Sequence, residues 1–550
     1  MARYVWASLI WLGVFLASAA GAQAAPPPQP KLVVALVMDQ FSLELFERYR
    51  PTFTGGLKRL SDGWSFAGYQ SHGATETCPG HSTILTGDHP ARTGIVANNW
   101  YDRATGSNVY CVSVRGVADL TASGSALLRV DTLGDWLNAQ KPGSRSFAVS
   151  GKDRAAIMMG GHHADAVYWW ANGVGFSTSQ YAGPATDEVL APAKAFNDKT
   201  FAAWRATPPK LWPAEYPDRC KALETPHTFG RYASAGALPP PMSEGAELTD
   251  LNAVEGVFAD QLRVSPLFDP LTLAFAEDIV ERRKLGRGPG VDLLAVSLSA
   301  TDHIGHRYGN GGPEMCVHLA VLDAALGRFF DQLDAIGAPY VVVLTADHGA
   351  VDAAERLETP AERVDVYRVV GGLSAHLRER FDLAYDPLAN NDARQIILNL
   401  GPADEPKRQA MIDEALAWLK ARPEVAEAYS AEEIAKAAPP VGKPVTDLTM
   451  AERFNESYDP ERSGDIMVAY QERASLGVPL SPADNVAGHG SPWDHDRRVP
   501  IQFWWPGVEA EAGSAPIETV DIAPTLAAMI GVSPPAVDGR CVELGQGCPR

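Results

Sequence analysis

The sequence lacks a CxxC cysteine pair, an excess of positive charge and, beyond its first 24 residues, any apolar run long enough to cross a membrane. Without CxxC pairs, the six cysteines do not match the usual thiolate zinc sites. The 47 Lys and Arg residues are outnumbered by 67 Asp and Glu, which gives a formal net charge of −20. Such a surface disfavours nucleic acids and anionic membranes as partners. An anionic substrate would therefore need a local positive site, and bound metal ions are the simplest source of one.

The first 24 residues have the pattern of an export signal. Arg3 supplies a positive start, residues 5–19 are apolar, and Ala22 and Ala24 offer small side chains at a cleavage site. The apolar run is shorter than the roughly 20 residues that span a bilayer, which disfavours a membrane anchor. We therefore expect a signal peptide over residues 1–24, a periplasmic or secreted mature protein, and no membrane association after cleavage.

Short apolar runs alternate with helical stretches along the rest of the chain. The 550 residues, 46% of them hydrophobic, are ample for a large core. The alternation predicts an α/β fold with a largely parallel central sheet between helices, and ligands bind beyond the carboxyl ends of such strands. We expect one catalytic domain over residues 25–550, with inserted cap segments at about 155–290 and 352–480. The predicted strands are 32–38, 147–149, 293–298, 340–344 and 501–505, and the predicted helices include 317–332 and 406–421.

Carboxylate and imidazole side chains follow three of these predicted strands, and a glycine-flanked histidine comes late in the chain. Each fragment alone is weak, since an Asp-His pair is usually a turn or a cap. Their joint occurrence at strand ends predicts a centre for two metal ions, and zinc accepts both nitrogen and carboxylate oxygen. The six candidate ligands are Asp39, Asp302, His306, Asp347, His348 and His489.

A threonine precedes a predicted helix that begins near Cys78. Pro79 suits the first turn of a helix, so Thr77 falls at the predicted N-cap, beside backbone N–H groups that favour a phosphate anion. These residues alone leave open whether Thr77 is a nucleophile or only caps the helix. The competing hydroxyls, which lie before the helix or inside it and are less well aimed, belong to Thr75, Ser82 and Thr86.

Several short motifs occur together and carry a family resemblance. They are residues 77–81 (Thr-Cys-Pro-Gly-His), 86–87, 89–90, 94–98, 302–306, 347–349, 488–490 and 521–526. Over residues 31 to about 540 the chain resembles the alkaline phosphatase superfamily. More narrowly, it resembles the branch that holds nucleotide pyrophosphatase/phosphodiesterases and the threonine-nucleophile, phosphate-irrepressible alkaline phosphatases.

The resemblance implies a role for each candidate residue. One zinc ion would be held by Asp302, His306 and His489, and the other by Asp39, Asp347 and His348, with Thr77 as ligand and nucleophile. Asn98 would donate a hydrogen bond to a phosphoryl oxygen, although Asn98-Asn99 is also good turn sequence. Lys152 and Arg154 match the Lys and Arg, two apart, that contact the phosphoryl group in the threonine-nucleophile phosphatases. Their alternative interpretation is a solvated charged loop.

The implied function is zinc-dependent hydrolysis of small-molecule phosphate monoesters through a phosphothreonine, with side activity on diesters. One alternative is a nucleotide pyrophosphatase/phosphodiesterase, whose less charged substrate would favour an apolar pocket over Lys and Arg. A second is a protein that binds phosphate esters without catalysis, which the full ligand set disfavours. A sulfatase is disfavoured as well, because the segment from Cys78 lacks the C/S-x-P-x-R pattern.

The cysteines of an exported protein are expected to form disulfides. Cys541 and Cys548 close a short loop, and we expect them to pair. The simplest pairings of the rest are Cys78–Cys111 and Cys220–Cys316, although six cysteines allow many connectivities. A free buried thiol at Cys78 stays an open alternative.

Overall fold

The computed structural model describes residues 29–548, apart from residues 115–116, 118–121, 185, 242–255, 360, 390–391 and 546. The expected signal peptide over residues 1–24 lies outside the described residues. Among the helices in the described part of the chain, none has both the length and the apolar character of a transmembrane segment.

The described residues form strands and helices that alternate along the chain. The strands are Leu32–Met38 (β1), Trp64–Tyr69 (β2), Asn99–Asp102 (β3), Ser107–Tyr110 (β4), Arg145–Ser150 (β5), Ala166–Ala171 (β6), Gly175–Ser177 (β7), His227–Phe229 (β8), Tyr232–Ser234 (β9), Asp292–Leu298 (β10), Tyr340–Thr345 (β11), Arg363–Val364 (β12), Gln395–Ile396 (β13), Val425–Ser430 (β14), Ile466–Tyr470 (β15), Ser475–Leu476 (β16), Arg498–Trp504 (β17), Glu511–Ala512 (β18) and Ile517–Glu518 (β19). The α-helices are Leu43–Tyr49 (α1), Gly56–Ser61 (α2), Thr77–Thr86 (α3), Pro90–Thr93 (α4), Leu133–Gln140 (α5), Asp153–Gly160 (α6), Asp187–Ala206 (α7), Asp218–Lys221 (α8), Gly256–Arg263 (α9), Phe268–Arg283 (α10), Ala300–Tyr308 (α11), Pro313–Ile336 (α12), Val366–Phe381 (α13), Arg408–Lys420 (α14), Ala431–Ala435 (α15), Met450–Asn455 (α16), Asp494–Arg497 (α17) and Ile522–Ile530 (α18).

The central sheet has the strand order β18-β2-β17-β11-β1-β10-β5-β6-β7, and β19 also pairs with β2. Strands β11, β1, β10, β5 and β6 run parallel, whereas β17 is antiparallel to both β11 and β2. The predicted α/β class with a largely parallel sheet is therefore confirmed. Parallel strands are buried on both faces, which is why β1 is a continuous apolar run whose seven residues are all buried.

The two faces of β1 contribute to two different hydrophobic cores. Leu32, Val34, Leu36 and Met38 pack in the core formed with α1, α2, α10 and α12. The intervening Val33, Ala35 and Val37 pack in the core formed with α3, α5, α6 and α18. Successive side chains of a strand point to opposite faces, so one apolar strand joins both helical layers.

The two predicted insertions contain different kinds of structure. The segment 155–290 contributes β6 and β7 to the central sheet, and it also carries the β8–β9 hairpin and helices α7 to α10. The segment 352–480 contains a separate three-stranded sheet, in the order β13-β15-β14, with its own hydrophobic cluster. The boundaries of both insertions stay predictions.

Three disulfides are present, and they are the three predicted pairings. Cys78 is bonded to Cys111, which excludes the alternative of a free thiol there. The other two bonds join Cys220 to Cys316 and Cys541 to Cys548.

Candidate active site

The candidate ligands converge because their strands are neighbours in the sheet. Strand β1 lies between β10 and β11, and all three run parallel. Asp39 follows the end of β1, Asp302 lies in the first turn of α11 after β10, and Asp347 comes two residues after β11. All three carboxylates are buried. The carboxyl edge of the sheet thus holds a compact acidic cluster, as the order of residues predicted.

The first cluster consists of Asp302, His306 and His489, whose ligand atoms lie within 4.8 Å of one another. The Nε2 atoms of His306 and His489 lie 3.2 and 3.5 Å from Asp302 Oδ1. Each imidazole donates its Nδ1 hydrogen to a backbone carbonyl, 2.9 Å away for His306 and 2.8 Å for His489. These hydrogen bonds fix the tautomer and direct the free Nε2 lone pairs to the centre of the cluster.

The second cluster consists of Asp39, Asp347 and His348. His348 Nε2 lies 3.5 Å from Asp39 Oδ1 and 3.4 Å from Asp347 Oδ2. Its Nδ1 donates to the Gly349 carbonyl at 3.0 Å. Burial lowers the pKa of His348 to about 3, so this imidazole is neutral and able to act as a ligand.

Four polar atoms in these clusters are buried and have no hydrogen-bond partner within the described residues. They are Asp39 Oδ1, Asp302 Oδ1, Asp347 Oδ2 and His348 Nε2. Buried polar atoms without partners are costly, and these four belong to residue types that commonly ligate metals. The donor set therefore fits bound cations, with Asp302 shared between a group with His306 and His489 and a group with Asp39 and His348.

Lys152 contacts both clusters. Its Nζ lies 2.7 Å from Asp39 Oδ2 and 2.6 Å from Asp302 Oδ2, and the side chain is buried. Burial lowers the pKa of Lys152, but Asp302 and Asp39 more than offset this, so its pKa lies above the ordinary value. The ammonium therefore keeps its charge between two candidate metal ligands.

Thr77 lies in the first turn of α3 and not at the N-cap. The N-cap is Glu76, in extended backbone, so the predicted cap position is wrong by one residue. Gly80 allows α3 to approach the ligands, because a Cβ at this position would lie 1.9 Å from the Asp347 carbonyl oxygen. The Thr77 side chain is buried in this first turn.

Asn98 and Arg154 lie beside Thr77. Asn98 Oδ1 accepts a hydrogen bond from the Cys78 amide at 2.8 Å, and its Nδ2 has no partner in the part of the chain that the structure describes. Because Oδ1 is held in this way, Nδ2 is left to donate to a ligand. The Nη2 atom of Arg154 lies 3.4 Å from Thr77 Oγ1. Its Nη1 lies 3.4 Å from the hydroxyl of Tyr110, which in turn donates to Asp153 at 2.6 Å.

His81 belongs to the site, although our reasoning from the sequence assigned it no role. It is fully buried, and its Nδ1 lies 3.0 Å from Asp347 Oδ2 and 2.9 Å from the Thr77 carbonyl. Together with Asp39 and Asp347 it forms a third group able to hold a metal ion. The available signal was its position four residues after Thr77, on the same face of a helix.

A second contact that the sequence did not predict joins the 352–480 segment to the site. The Glu76 carboxylate accepts a hydrogen bond from the backbone N–H of Asn98 at 2.7 Å, and it lies 3.4 Å from the Arg394 guanidinium. Arg394 also donates to the His489 carbonyl at 2.7 Å. This one guanidinium thus links the residue before Thr77 to a ligand of the first cluster.

Two cavities border these residues. A cavity of about 300 Å³, called the histidine-side cavity below, is lined by Asn98, His306, His489, Arg394 and Arg473 among others. A second cleft of about 500 Å³, called the lysine-side cleft, is lined by Lys152, Arg154, Trp169, Arg263 and His303 among others.

Comparisons with known proteins agree over nearly the whole chain. A family model described as type I phosphodiesterase / nucleotide pyrophosphatase matches residues 33–492. Alkaline phosphatase PhoK of Sphingomonas sp is 39% identical over 542 residues, which cover 94% of this chain and 92% of that protein. Alkaline phosphatase PhoD of Zymomonas mobilis is 39% identical over 532 residues, with coverage of 94% and 88%. The solved structure of wild-type alkaline phosphatase PafA matches with a TM-score of 0.80 at 25% identity, covering 94% of this chain and 98% of that one.

Proposed function

Because this chain belongs to the type I phosphodiesterase / nucleotide pyrophosphatase family of the alkaline phosphatase superfamily, we propose that it is a zinc-dependent alkaline phosphatase with Thr77 as nucleophile. The chain is a phosphatase, because it matches alkaline phosphatases over nearly their full length. The observation that carries the proposal is the convergence of metal-binding side chains at the carboxyl edge of the sheet, beside α3, whose His81 contacts Asp347.

The buried, unpartnered oxygen and nitrogen atoms of the two clusters support a pair of metal ions, and the mixed set of Asp and His suits zinc. We assign one ion to Asp302, His306 and His489, and the other to Asp39, Asp347 and His348, with Thr77 as a further ligand. Bound zinc would lower the pKa of the Thr77 hydroxyl and stabilise negative charge on the attacking and departing oxygens.

In the proposed reaction, Thr77 Oγ1 attacks phosphorus and the ester alcohol leaves from the opposite side. A bond forms between Thr77 and phosphorus while the bond from phosphorus to the alcohol breaks, which leaves a phosphothreonine. Water then cleaves the phosphothreonine, releasing inorganic phosphate and restoring the hydroxyl. The N-terminus of α3 favours the phosphoryl anion at this position. We assign Asn98 Nδ2 and the Arg154 guanidinium as donors to its oxygens, which their positions beside Cys78 and Thr77 support.

The charge of the site supports monoesters as the substrate class. Lys152 and Arg154 add two positive charges, the first buried and the second partly buried. A monoester is a dianion at its reacting end, whereas a diester is a monoanion. The family match keeps diester hydrolysis as the second candidate. The discriminating experiment compares kcat/KM for 4-nitrophenyl phosphate and its methyl diester. We expect the monoester to be strongly preferred, and a preference for the diester would assign the chain to the phosphodiesterases.

The metal assignment has its own test. Elemental analysis of the purified protein should find two zinc ions per chain, and a chelator should abolish hydrolysis until zinc is restored. Active enzyme with a single bound metal ion would contradict the assignment of two clusters.

We also propose that the protein is exported, with residues 1–24 as its signal. The three disulfides support this location, since such bonds persist in oxidising compartments. N-terminal sequencing of the mature protein would test it.

A further inference from the structure

The histidine-side cavity opens beside the first metal cluster and is separate from the lysine-side cleft. His306 and His489 border the first cavity, whereas Lys152 and Arg154 border the second, and the two lining sets have no residue in common. A volume of about 300 Å³ lies at the small end of ligand pockets, so a small organic group fits.

The proposed reaction decides which group occupies this cavity. Attacking and departing oxygens lie on opposite sides of phosphorus. Because the proposed reaction assigns Thr77 to the ion held by Asp39, Asp347 and His348, the departing oxygen would face Asp302, His306 and His489 on the other side of phosphorus. The alcohol part of the ester therefore extends into the histidine-side cavity.

The charges in this cavity are paired, with one exception. Glu76 and Arg394 neutralise each other at 3.4 Å. Asp496 accepts a hydrogen bond from the Ser491 amide at 2.8 Å and lies 3.5 Å from His495. Arg473 has no ion-pair or hydrogen-bond partner among the residues that the structure describes. It is the unmatched positive charge of a cavity in a protein whose formal net charge is −20.

The backbone of Arg473 is also unusual. Its φ angle is +66°, in the left-handed region that favours glycine, although the residue carries a long side chain. This conformation costs free energy, and residues that keep it cluster at functional sites. The strain and the unmatched charge are independent observations on one residue.

We propose that Arg473 binds a carboxylate on the leaving alcohol, and that the enzyme therefore favours phosphate monoesters whose alcohol part carries a carboxylate. The inference rests on the proposed function and deepens it by naming a substrate class. A planar guanidinium matches the two oxygens of a carboxylate, which gives the preference geometric specificity as well as charge.

The test compares two esters that differ at one group. Glycerol 3-phosphate and 3-phosphoglycerate both release a three-carbon primary alcohol, but the second carries a carboxylate in place of a terminal hydroxymethyl group. The quantity to compare is the ratio of their kcat/KM values, because a ratio does not depend on the fraction of active enzyme. In Arg473→Gln the ratio should shift toward glycerol 3-phosphate by about threefold to tenfold, the range for a partly exposed charged pair. Arg473→Lys, which keeps the charge, should restore part of the preference.

Arg263→Gln is the matched control, since Arg263 borders the lysine-side cleft. We expect this variant to leave the ratio unchanged. An unchanged ratio in Arg473→Gln would overturn the inference, and so would a shift caused by Arg263→Gln instead, because the alcohol would then lie in the other cleft. Failure of the proposed function is distinguishable, since the wild type would then hydrolyse neither ester, and that result would overturn both.

Discussion

Lys152 and Arg154 lie two residues apart but contact different parts of the site. Lys152 is held between Asp39 and Asp302, whereas Arg154 reaches the hydroxyl of Thr77. Lys152 is the N-cap residue of α6 and Arg154 is the second residue of that helix, so their side chains leave the backbone in different directions. The pair thus places one charge among the candidate metal ligands and one beside the Thr77 hydroxyl.

This division predicts how the two charges act on substrate choice. Replacing both residues with alanine should reduce kcat/KM for a phosphate monoester more than for its diester. The ratio of the two kcat/KM values should fall by roughly two to four decades, at about 1.4 kcal/mol per decade. The expectation follows from the greater charge of the monoester. Steady-state kinetics on both substrates measure it, with zinc content determined alongside, since neither residue is assigned as a ligand. Equal losses on both substrates would show that the pair supports the structure and does not read the charge of the substrate.

Local sequence predicted which side chains gather at the carboxyl edge of the sheet, but not the contacts that hold them. Asp39, Asp302 and Asp347 were recognisable because each follows a strand. The link from Arg394 to Glu76 and His489 joins positions far apart in the chain, and no local pattern encodes it. The positive φ of Arg473 is likewise imposed by its surroundings, because nothing in the side chain of an arginine favours that conformation.

Among the elements, the observed ends of strands and helices show where the spacing of apolar residues predicts a boundary and where it does not. Strand β1 spans the predicted residues 32–38, since a fully apolar run flanked by polar residues defines both of its ends. The predicted helix 317–332 begins earlier, at Pro313, because proline at the first position and the preceding Gly312 mark the start more strongly than apolar spacing does. The predicted helix 406–421 is preceded by a 3₁₀ turn and begins as an α-helix at Arg408.

The first turn of α12 contains a buried carboxylate that should make stability depend on pH. Burial raises the pKa of Glu314 to about 7, although its own backbone amide and Arg356 act in the opposite direction. An acid whose pKa is higher in the folded state binds more protons there than in the unfolded chain, so stability falls as pH rises from the unfolded value to about 7. Above that pH the loss is complete and constant.

Glu314→Gln should remove this dependence. The free energy of unfolding of the variant, relative to wild type, should increase by roughly 2–3 kcal/mol between about pH 4.5 and pH 8. Denaturant unfolding of both proteins across this range measures the difference. The exposed Glu281, replaced by Gln, serves as the control and should show no such trend. A constant difference for Glu314→Gln would mean that the carboxylate is already solvated in the folded protein.

For the whole molecule, the disulfides close loops of very different length. Cys220 and Cys316 are separated by 96 positions, and their bond ties α8 to α12. Cys541 and Cys548 are separated by only 7. A longer closed loop restricts the unfolded chain more, so the two bonds are expected to stabilise the fold unequally.

Replacing Cys220 and Cys316 with alanine should lower the free energy of unfolding by roughly 5 kcal/mol, against roughly 2–3 kcal/mol for the Cys541 and Cys548 pair. Neither pair belongs to the candidate metal clusters, so the zinc content of both folded variants should equal that of wild type. Urea unfolding of the oxidised proteins checks the order. A larger loss for the C-terminal pair would show that local contacts outweigh the entropy of the unfolded chain.

The central claim is that Thr77 forms a covalent bond to the phosphate of the substrate. The direct measurement is acid quenching of the zinc-loaded enzyme during turnover of a phosphate monoester, followed by mass spectrometry of its peptides. We predict one phosphate per chain, located on Thr77, and its absence in Thr77→Ala, which should also lose several orders of magnitude in kcat. Phosphate on Thr75 or Ser82, or undiminished turnover by Thr77→Ala, would contradict the account.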